Sequence, residues 1–335
     1  MRDRPDSFDE GLLRPALRAW GVEARTLDYA PVGFGDYHWI ADRRWFVTIA
    51  DVRRRDVDDL ALAMDTASAL REEAGLGFVV APLRTTEGAT LLRLDRHRWA
   101  MSVFPFVDAA SGRFGEERPA GERAAIIDLL AALHTTPPPL STPPRPLHLA
   151  GRAGLEQALQ DTRPPWSGGP YSEPARELVA RHAGTLRRRL AEFDRTAAVA
   201  GEPVVTHGEP HPGNVLGAGE RRWLVDWDTV GLAPPERDLW LVAEDADDLA
   251  RYAAATGRTP DPRVLELYRL RWALDDVAEF VQWFRAPHGR TADAELSWTS
   301  LTGTLEALAS EDRFPPLATP PDPRSERHGE EEQIP

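Results

Sequence analysis

The pattern of apolar residues changes character once along the chain, near Pro105, and that change limits the architectures open to it. Before it come runs with strand character at residues 27–32, 37–42, 45–52, 90–94 and 99–104. One helical stretch, 58–74, interrupts them: Leu60, Met64, Ala67 and Leu70 recur at helical spacing and Gly75 supplies the stop. Arg43-Arg44 and the polar turn Asp95-Arg96-His97-Arg98 join neighbouring runs as hairpins. Ahead of them, Ser7-Phe8-Asp9-Glu10 has capping-box spacing and opens a short helix that Pro15 bends or delays and Gly21 closes. Beyond Pro105 helical patterns dominate, at 120–134, 173–193, 237–249, 263–285 and 292–308, with a Pro-rich connector at 136–146 and one β-rich island at 204–228. The class expected is therefore α+β. Residues 1–105 form a small, mostly antiparallel sheet with one helix, residues 106–313 a larger helical part, and 314–335 a tail whose proline, charge and few apolar residues predict disorder.

Composition removes several chemistries. All 40 residues counted as Lys or Arg are Arg, so a lysine Schiff base or phosphate-binding ammonium is excluded. Cys is absent, which removes disulfides, thiol nucleophiles and thiolate-bound zinc. The net charge of −14 argues against general nucleic-acid binding and is compatible with a cationic small-molecule partner. No apolar run approaches a membrane span and residues 1–6 lack the apolar core of a signal peptide, so a cytoplasmic protein without membrane attachment is expected.

Chemistry concentrates in the island. A short apolar strand, Val204-Val205-Thr206, runs into His207-Gly208-Glu209-Pro210-His211-Pro212-Gly213-Asn214, and a second, Trp223-Leu224-Val225, runs into Asp226-Trp227-Asp228. Glu209 is a carboxylate able to accept a hydroxyl proton. Asn214, the only Asn in the chain, and Asp226 offer hard oxygen ligands of the kind that hold Mg²⁺ jointly with phosphate. For Asn214 and Asp226 the plainer alternative is a turn residue; for Glu209 it is a carboxylate that only orders its loop. His207 and His211 read as braces of the loop, and Asp228 as a second metal contact or a structural aspartate. No Ser-His-Asp arrangement stands out, and the remaining histidines lack metal-ligand spacing.

These residues resemble the catalytic loop and metal-binding aspartate of the aminoglycoside phosphotransferase family, whose fold is protein-kinase-like and two-lobed. The downstream Asp226-Trp227-Asp228 and Leu232-Ala233-Pro234-Pro235-Glu236-Arg237-Asp238-Leu239 are most similar to its spectinomycin phosphotransferase branch. The resemblance implies transfer of the γ-phosphoryl of MgATP or MgGTP to a hydroxyl of an antibiotic or related metabolite. It implies Glu209 as catalytic base, Asn214 and Asp226 as Mg²⁺ ligands, and Asp238 as the support of the loop. It also implies a glycine loop, Gly33-Phe34-Gly35, over the phosphates and a hinge spanning Phe104, Phe106 and Val107 against the purine. Asp275, Asp276 and Glu279, set among Trp272, Phe280, Trp283 and Phe284 at helical spacing, are the candidates for an amine-bearing acceptor, with a solvated face over an aromatic core as the alternative. Two positions depart from the family. Its loop carries Asp where this chain has Glu209, and its third strand carries a phosphate-binding Lys where this chain has Thr48. Arg43, Arg44, Arg53 and His38 are the candidates to replace that lysine. A nucleotide-binding pseudokinase is the alternative to an active enzyme.

Overall fold

The structure is a computed structural model and describes the chain apart from Asp6, Arg54, His97, 197–201, Glu311, Arg313 and 315–335. The predicted tail beyond Phe314 and the turn residue His97 lie outside the described residues. The chain divides into two compact units. The first comprises Met1–Leu147, Gly201–Pro260 and Arg290–Leu296; the second comprises His148–Ala200, Asp261–Gly289 and the stretch from Ser297 onward.

In the first unit a five-stranded antiparallel sheet is built from β1 (Leu27–Ala30), β2 (Tyr37–Ala41), β3 (Trp45–Asp51), β4 (Leu92–Leu94) and β5 (Trp99–Pro105), in the order β1-β2-β3-β5-β4. Residues alternate between faces, as a pleated strand requires. Trp39, Ala41, Val47, Ile49, Met101 and Val103 turn one way and are buried with Phe8, Leu13, Leu17 and Val22 from the N-terminal segment. Phe8 sits edge-on to Trp99 with ring centroids 5.3 Å apart. In the register, His38 lies opposite Thr48 and Thr48 opposite Ser102, so these three share the other face.

The N-terminal segment is more broken than its capping-box spacing predicts. The cap is Asp9, which accepts the Gly11 N–H, and only Leu13–Leu17 (α1) is α-helical, between two 3₁₀ turns. Pro15 lies in the first α-turn, where its missing N–H costs nothing. α2 (Val57–Glu72) begins at Asp56, whose carboxylate accepts the N–H groups of Asp58 and Asp59, and ends near Gly75 in the left-handed region.

After a two-residue strand, β6 (Ala110–Ser111), α3 (Ala120–His134) buries Ile126, Ile127, Leu130 and Leu133 on one face. The second unit contains α4 (Arg152–Gln160), α5 (Ser172–Thr196) and α8 (Pro262–Arg285), which pack on one another. The island folds as β7 (Val204–Thr206), β8 (Val215–Ala218), β9 (Arg221–Leu224) and β10 (Gly231–Ala233).

The expected single helix over 237–249 is two: α6 (Glu236–Leu239) and α7 (Ala246–Thr256). Asp245 starts the second by accepting the Asp248 N–H, and the Asp248 carboxylate accepts the Glu244 N–H in return. Arg123 from α3 then binds Glu244, Asp245 and Asp248 together, which fixes the break. The last helix, α9, runs over Ala292–Ala309.

Candidate active site

β7 pairs antiparallel with β10, Thr206 opposite Gly231, and the chain then turns sharply at His207-Gly208. Gly208 has φ 102°, a region in which a side chain is strained, and a Cβ there would also overlap the Arg237 guanidinium. Asp238, fully buried on α6, accepts the N–H groups of His207 at 2.7 Å and Gly208 at 2.6 Å. Its Oδ2 is also 3.0 Å from His134 Nε2, and His134 Nδ1 is 2.9 Å from the Tyr252 hydroxyl. The tautomer that satisfies both contacts has Nε2–H donating to the carboxylate and Nδ1 accepting from the tyrosine. Burial acts to raise the Asp238 carboxyl; the His134 hydrogen bond and the neighbouring Arg237 charge outweigh it and hold it below the usual carboxylate range. Asp238 therefore fastens the loop from below as an anion with its hydrogen bonds satisfied.

His207 extends that fastening toward Asp226. Its Nε2 donates to the Val225 carbonyl at 2.9 Å, its Nδ1 accepts the Glu209 N–H at 3.2 Å, and its ring packs on Trp227 at 4.5 Å. Nδ1 can accept only while the ring is neutral, and burial lowers the His207 pKa accordingly. His211 caps the 3₁₀ turn Pro212–Asn214 by accepting the Gly213 N–H at 3.1 Å; burial lowers its pKa to about 4.

The hairpin β8–β9 sets the distance between the two oxygen-bearing residues. Val215 pairs with Leu224, so Asn214 and Val225 stand just beyond the pair, joined by the Val225 N–H donating to the Asn214 carbonyl at 3.0 Å. The buried Asn214 donates from Nδ2 to the Glu209 carbonyl at 3.1 Å, which ties the two loop residues together and leaves Oδ1 as the atom suited to a cation. Asp226, two residues past the end of β9, has φ 66°, a left-handed conformation that aspartate tolerates better than most residues.

Three carboxylates, Asp36, Asp226 and Asp228, gather here around the Arg55 guanidinium, and the charge of Glu209 acts on Asp226. Asp226 is open to solvent yet walled by protein. Loss of hydration first, then the charges of Asp228, Glu209 and Asp36, push its carboxyl well above the ordinary range. Asp228 shares a hydrogen bond with Asp226 and an ion pair with Arg55, which overcomes burial and holds it ionised. Arg55 also reaches Asp36 at 3.4 Å. Among the described residues no trio of His, Asp and Glu forms an all-protein metal cage. One amide oxygen and one carboxylate are the donor set Mg²⁺ accepts when phosphate and water complete its shell, and the surplus negative charge suits a divalent cation. The residues fit that ion.

Gly33 (φ 71°) and Gly35 (φ 100°) let the loop between β1 and β2 take a form that side chains disfavour, and Phe34 between them is exposed. His38 lies under this loop: a Cβ on Gly33 would come within 3.2 Å of its Nε2. Its ring stacks on Phe46, its Nδ1 is 3.1 Å from Thr48 Oγ1, and burial pushes its pKa down to about 3. The expected hinge residues leave β5 in sequence: Phe104 is opposite Phe46, Phe106 donates its N–H to the Arg44 carbonyl at 2.9 Å, and the Val107 carbonyl accepts from Ala109.

Asp275, Asp276 and Glu279 lie on α8 in the second unit, with Phe280 and Phe284 buried beside them. Asp275 pairs with Arg271 at 3.1 Å, and burial raises its carboxyl against the opposing Arg271 charge and the Ala150 backbone N–H. Glu279 is exposed. Sequence reasoning missed Arg55. The signal was present in the Arg53-Arg54-Arg55 run just before α2, but nothing in the spacing tells where a long side chain will end.

A small antiparallel sheet, a helical remainder and a His-Gly-Glu loop fastened to an Asn and an Asp define a phosphotransferase with an alcohol group as acceptor, on a protein-kinase-like fold. The profile of the phosphotransferase enzyme family known as APH matches residues 37–270, and the chain belongs to that family. It is 31% identical over 299 residues to protein StrN of Streptomyces griseus, across 84% of this chain and 87% of that one. Its fold is similar to that of a spectinomycin phosphotransferase in complex with ADP and spectinomycin, with a TM-score of 0.71 and 16% identity over 92% of this chain and 100% of the other. It is also similar to an amicoumacin kinase in complex with AMP-PNP, Ca²⁺ and Ami, with a TM-score of 0.58 and 12% identity over 94% and 96% of the two chains. Among the described residues, no helix is long and apolar enough to cross a membrane. Nothing in these comparisons favours the pseudokinase alternative.

Proposed function

We propose that this phosphotransferase moves the γ-phosphoryl group of ATP or GTP to a hydroxyl of an amine-bearing antibiotic of the aminocyclitol or aminoglycoside type, or of a related amino alcohol, in the cytoplasm. The observation that carries the reading is the double tether of Glu209, by its N–H to His207 and by its carbonyl to Asn214, beside a hairpin end bearing Asp226. In this reading Glu209 orients the acceptor hydroxyl and takes its proton. The hydroxyl oxygen forms a bond to the γ-phosphorus as the bond to the β–γ bridging oxygen breaks, and the nucleoside diphosphate leaves with that electron pair. Mg²⁺, when bound, neutralises phosphate charge, and Asn214 and Asp226 would hold it. Gly33, Phe34 and Gly35 cover the phosphates, Thr48 lines the same face of the sheet, and Phe104, Phe106 and Val107 meet the base. The Phe106 N–H is already engaged by Arg44, which leaves Val107 as the hinge donor. Asp275, Asp276 and Glu279 attract the ammonium groups of the acceptor. With an antibiotic as acceptor, the reaction would confer resistance.

The test is transfer of label from γ-labelled ATP and GTP, with Mg²⁺, to a panel of aminocyclitols, aminoglycosides and small amino alcohols. Glu209→Gln is expected to lower kcat about 100- to 10,000-fold while KM for the nucleotide changes less than about twofold. Absence of labelled product over the whole panel would reject this acceptor class. Full transfer by Glu209→Ala would remove Glu209 from the role of base.

A further inference from the structure

In a chain without lysine, the charge that meets the nucleotide phosphates has to come from elsewhere. Thr48, at the family's lysine position on β3, has its hydroxyl against His38, and His38 is buried and neutral beneath the glycine loop. The arginines nearest in sequence are occupied at the surface. Arg43 pairs with Asp108, Arg44 stacks over the Trp45 ring, and Arg53 forks onto Asp51.

Arg55 is placed otherwise. It bridges Asp36, directly after the glycine loop, and Asp228, two residues beyond Asp226. Its Nη2 lies 4.0 Å from where a Cβ on Gly35 would stand, so the guanidinium lies against the loop itself. Its side chain retains 29% of its exposure, enough to be reached from solvent, while both partners are more enclosed than it is. Two carboxylates now occupy the donors that a phosphate chain would use, since a guanidinium fork matches phosphate as well as carboxylate. Resting on the phosphotransferase reading above, we infer that Arg55 replaces the absent lysine: its guanidinium binds the nucleotide phosphates, and Asp36 and Asp228 hold it in place until they arrive. Arg55 is then a direct phosphate contact rather than a brace, and the acid recess keeps it aimed at the space beside Asp226. A planar fork on the segment before α2 does from one side what an ammonium on β3 does from the middle of the sheet.

The full chain can test this with the series adenosine, AMP, ADP and ATP, or the guanosine series, bound in the presence of Mg²⁺ and followed by calorimetry. Wild type should gain affinity as phosphates are added. Arg55→Ala should lose about tenfold to a hundredfold on the di- and triphosphate, the size expected for one charge-assisted phosphate contact, and less than about twofold on the nucleoside. Arg55→Lys, which keeps the recess neutralised and so guards against misfolding, should fall between the two. Thr48→Lys in the Arg55→Ala chain should recover about tenfold by restoring an ammonium to β3. Asp36→Asn separates the roles: a merely structural ion pair makes it mimic Arg55→Ala, whereas release of the guanidinium makes it bind ATP more tightly. Unchanged ATP affinity in both Arg55 variants, or an Asp36→Asn that weakens ATP as much as Arg55→Ala does, overturns the inference. If the wild type itself binds no nucleoside triphosphate, the phosphotransferase reading fails as well, and that result is visible before any variant is made.

Discussion

Two groups of polar side chains meet at the His207–Asn214 loop, and they are built on opposite principles. Beneath it, Tyr252, His134 and Asp238 form a chain with its hydrogen bonds made, and Asp238 and His134 are both without exposed side-chain surface. Above it, Asp36, Asp226 and Asp228 crowd around Arg55, and together with Glu209 they leave Asp226 destabilised as an anion. The lower group is electrically satisfied and holds the loop still. The upper group holds surplus negative charge that a cation and an incoming substrate can relieve. A site that must neutralise phosphate charge gains from keeping its own charges unsatisfied, and it can do so only on backbone secured by something else.

The comparison predicts opposite effects from two aspartates. Asp238→Ala should lower the unfolding free energy by about 3–5 kcal/mol, because it strands two loop N–H groups and the Nε2–H of His134 in the interior. Chemical denaturation measures this directly. A loss under about 1 kcal/mol would mean the lower group is dispensable and the contrast is wrong.

Asp226→Asn should stabilise the protein while removing its activity. Since the folded-state pKa of Asp226 is raised, the native state binds more protons than the unfolded one, and stability is lost as pH rises above the ordinary carboxylate value. Asparagine removes that cost and tolerates φ 66° as well as aspartate does. The gain should be present at pH 7 and vanish near pH 4, with transfer reduced at least about 100-fold. An Asp226→Asn chain less stable than wild type at pH 7 would show that the upper group is satisfied after all.

How much of this could be read from residue order varies with the distance over which each feature is decided. Strands β1, β2, β3 and β5, the helices α2 and α3 and the loop residues were legible because alternation, helical spacing and turn formers are local. The break between α6 and α7 was not, since it depends on Arg123, more than a hundred residues earlier, binding Glu244, Asp245 and Asp248. α4 was missed because its apolar stripe, Leu155, Ala158 and Leu159, is too short to stand out until α5 and α8 cover it. Asn214 and Asp226 could be paired because a short hairpin joins them; the destination of Arg55 is 173 residues away in sequence and is set by tertiary folding alone.

His38 lies between the two groups in character and gives the smallest test. It is buried like the lower set but sits beneath the glycine loop, where Asp228 partly opposes the fall in its pKa that burial causes. With a folded value of about 3 against an ordinary 6.5, the unfolded chain binds a proton between those limits that the native chain does not. Stability contributed by a neutral His38 is therefore full above pH 6.5 and is lost as pH falls toward 3, the reverse of the Asp226 effect. From pH 7 to pH 6 the loss from this one residue is at most about 0.7 kcal/mol. His38→Gln should remove it, so the difference in unfolding free energy between those two pH values should be smaller in the variant than in wild type by that amount. Equal differences would mean that His38 protonates freely in the native state. The space beneath Gly33 would then be wet, and a protonated His38 beside Thr48 would add a cation on the sheet face to the one Arg55 supplies.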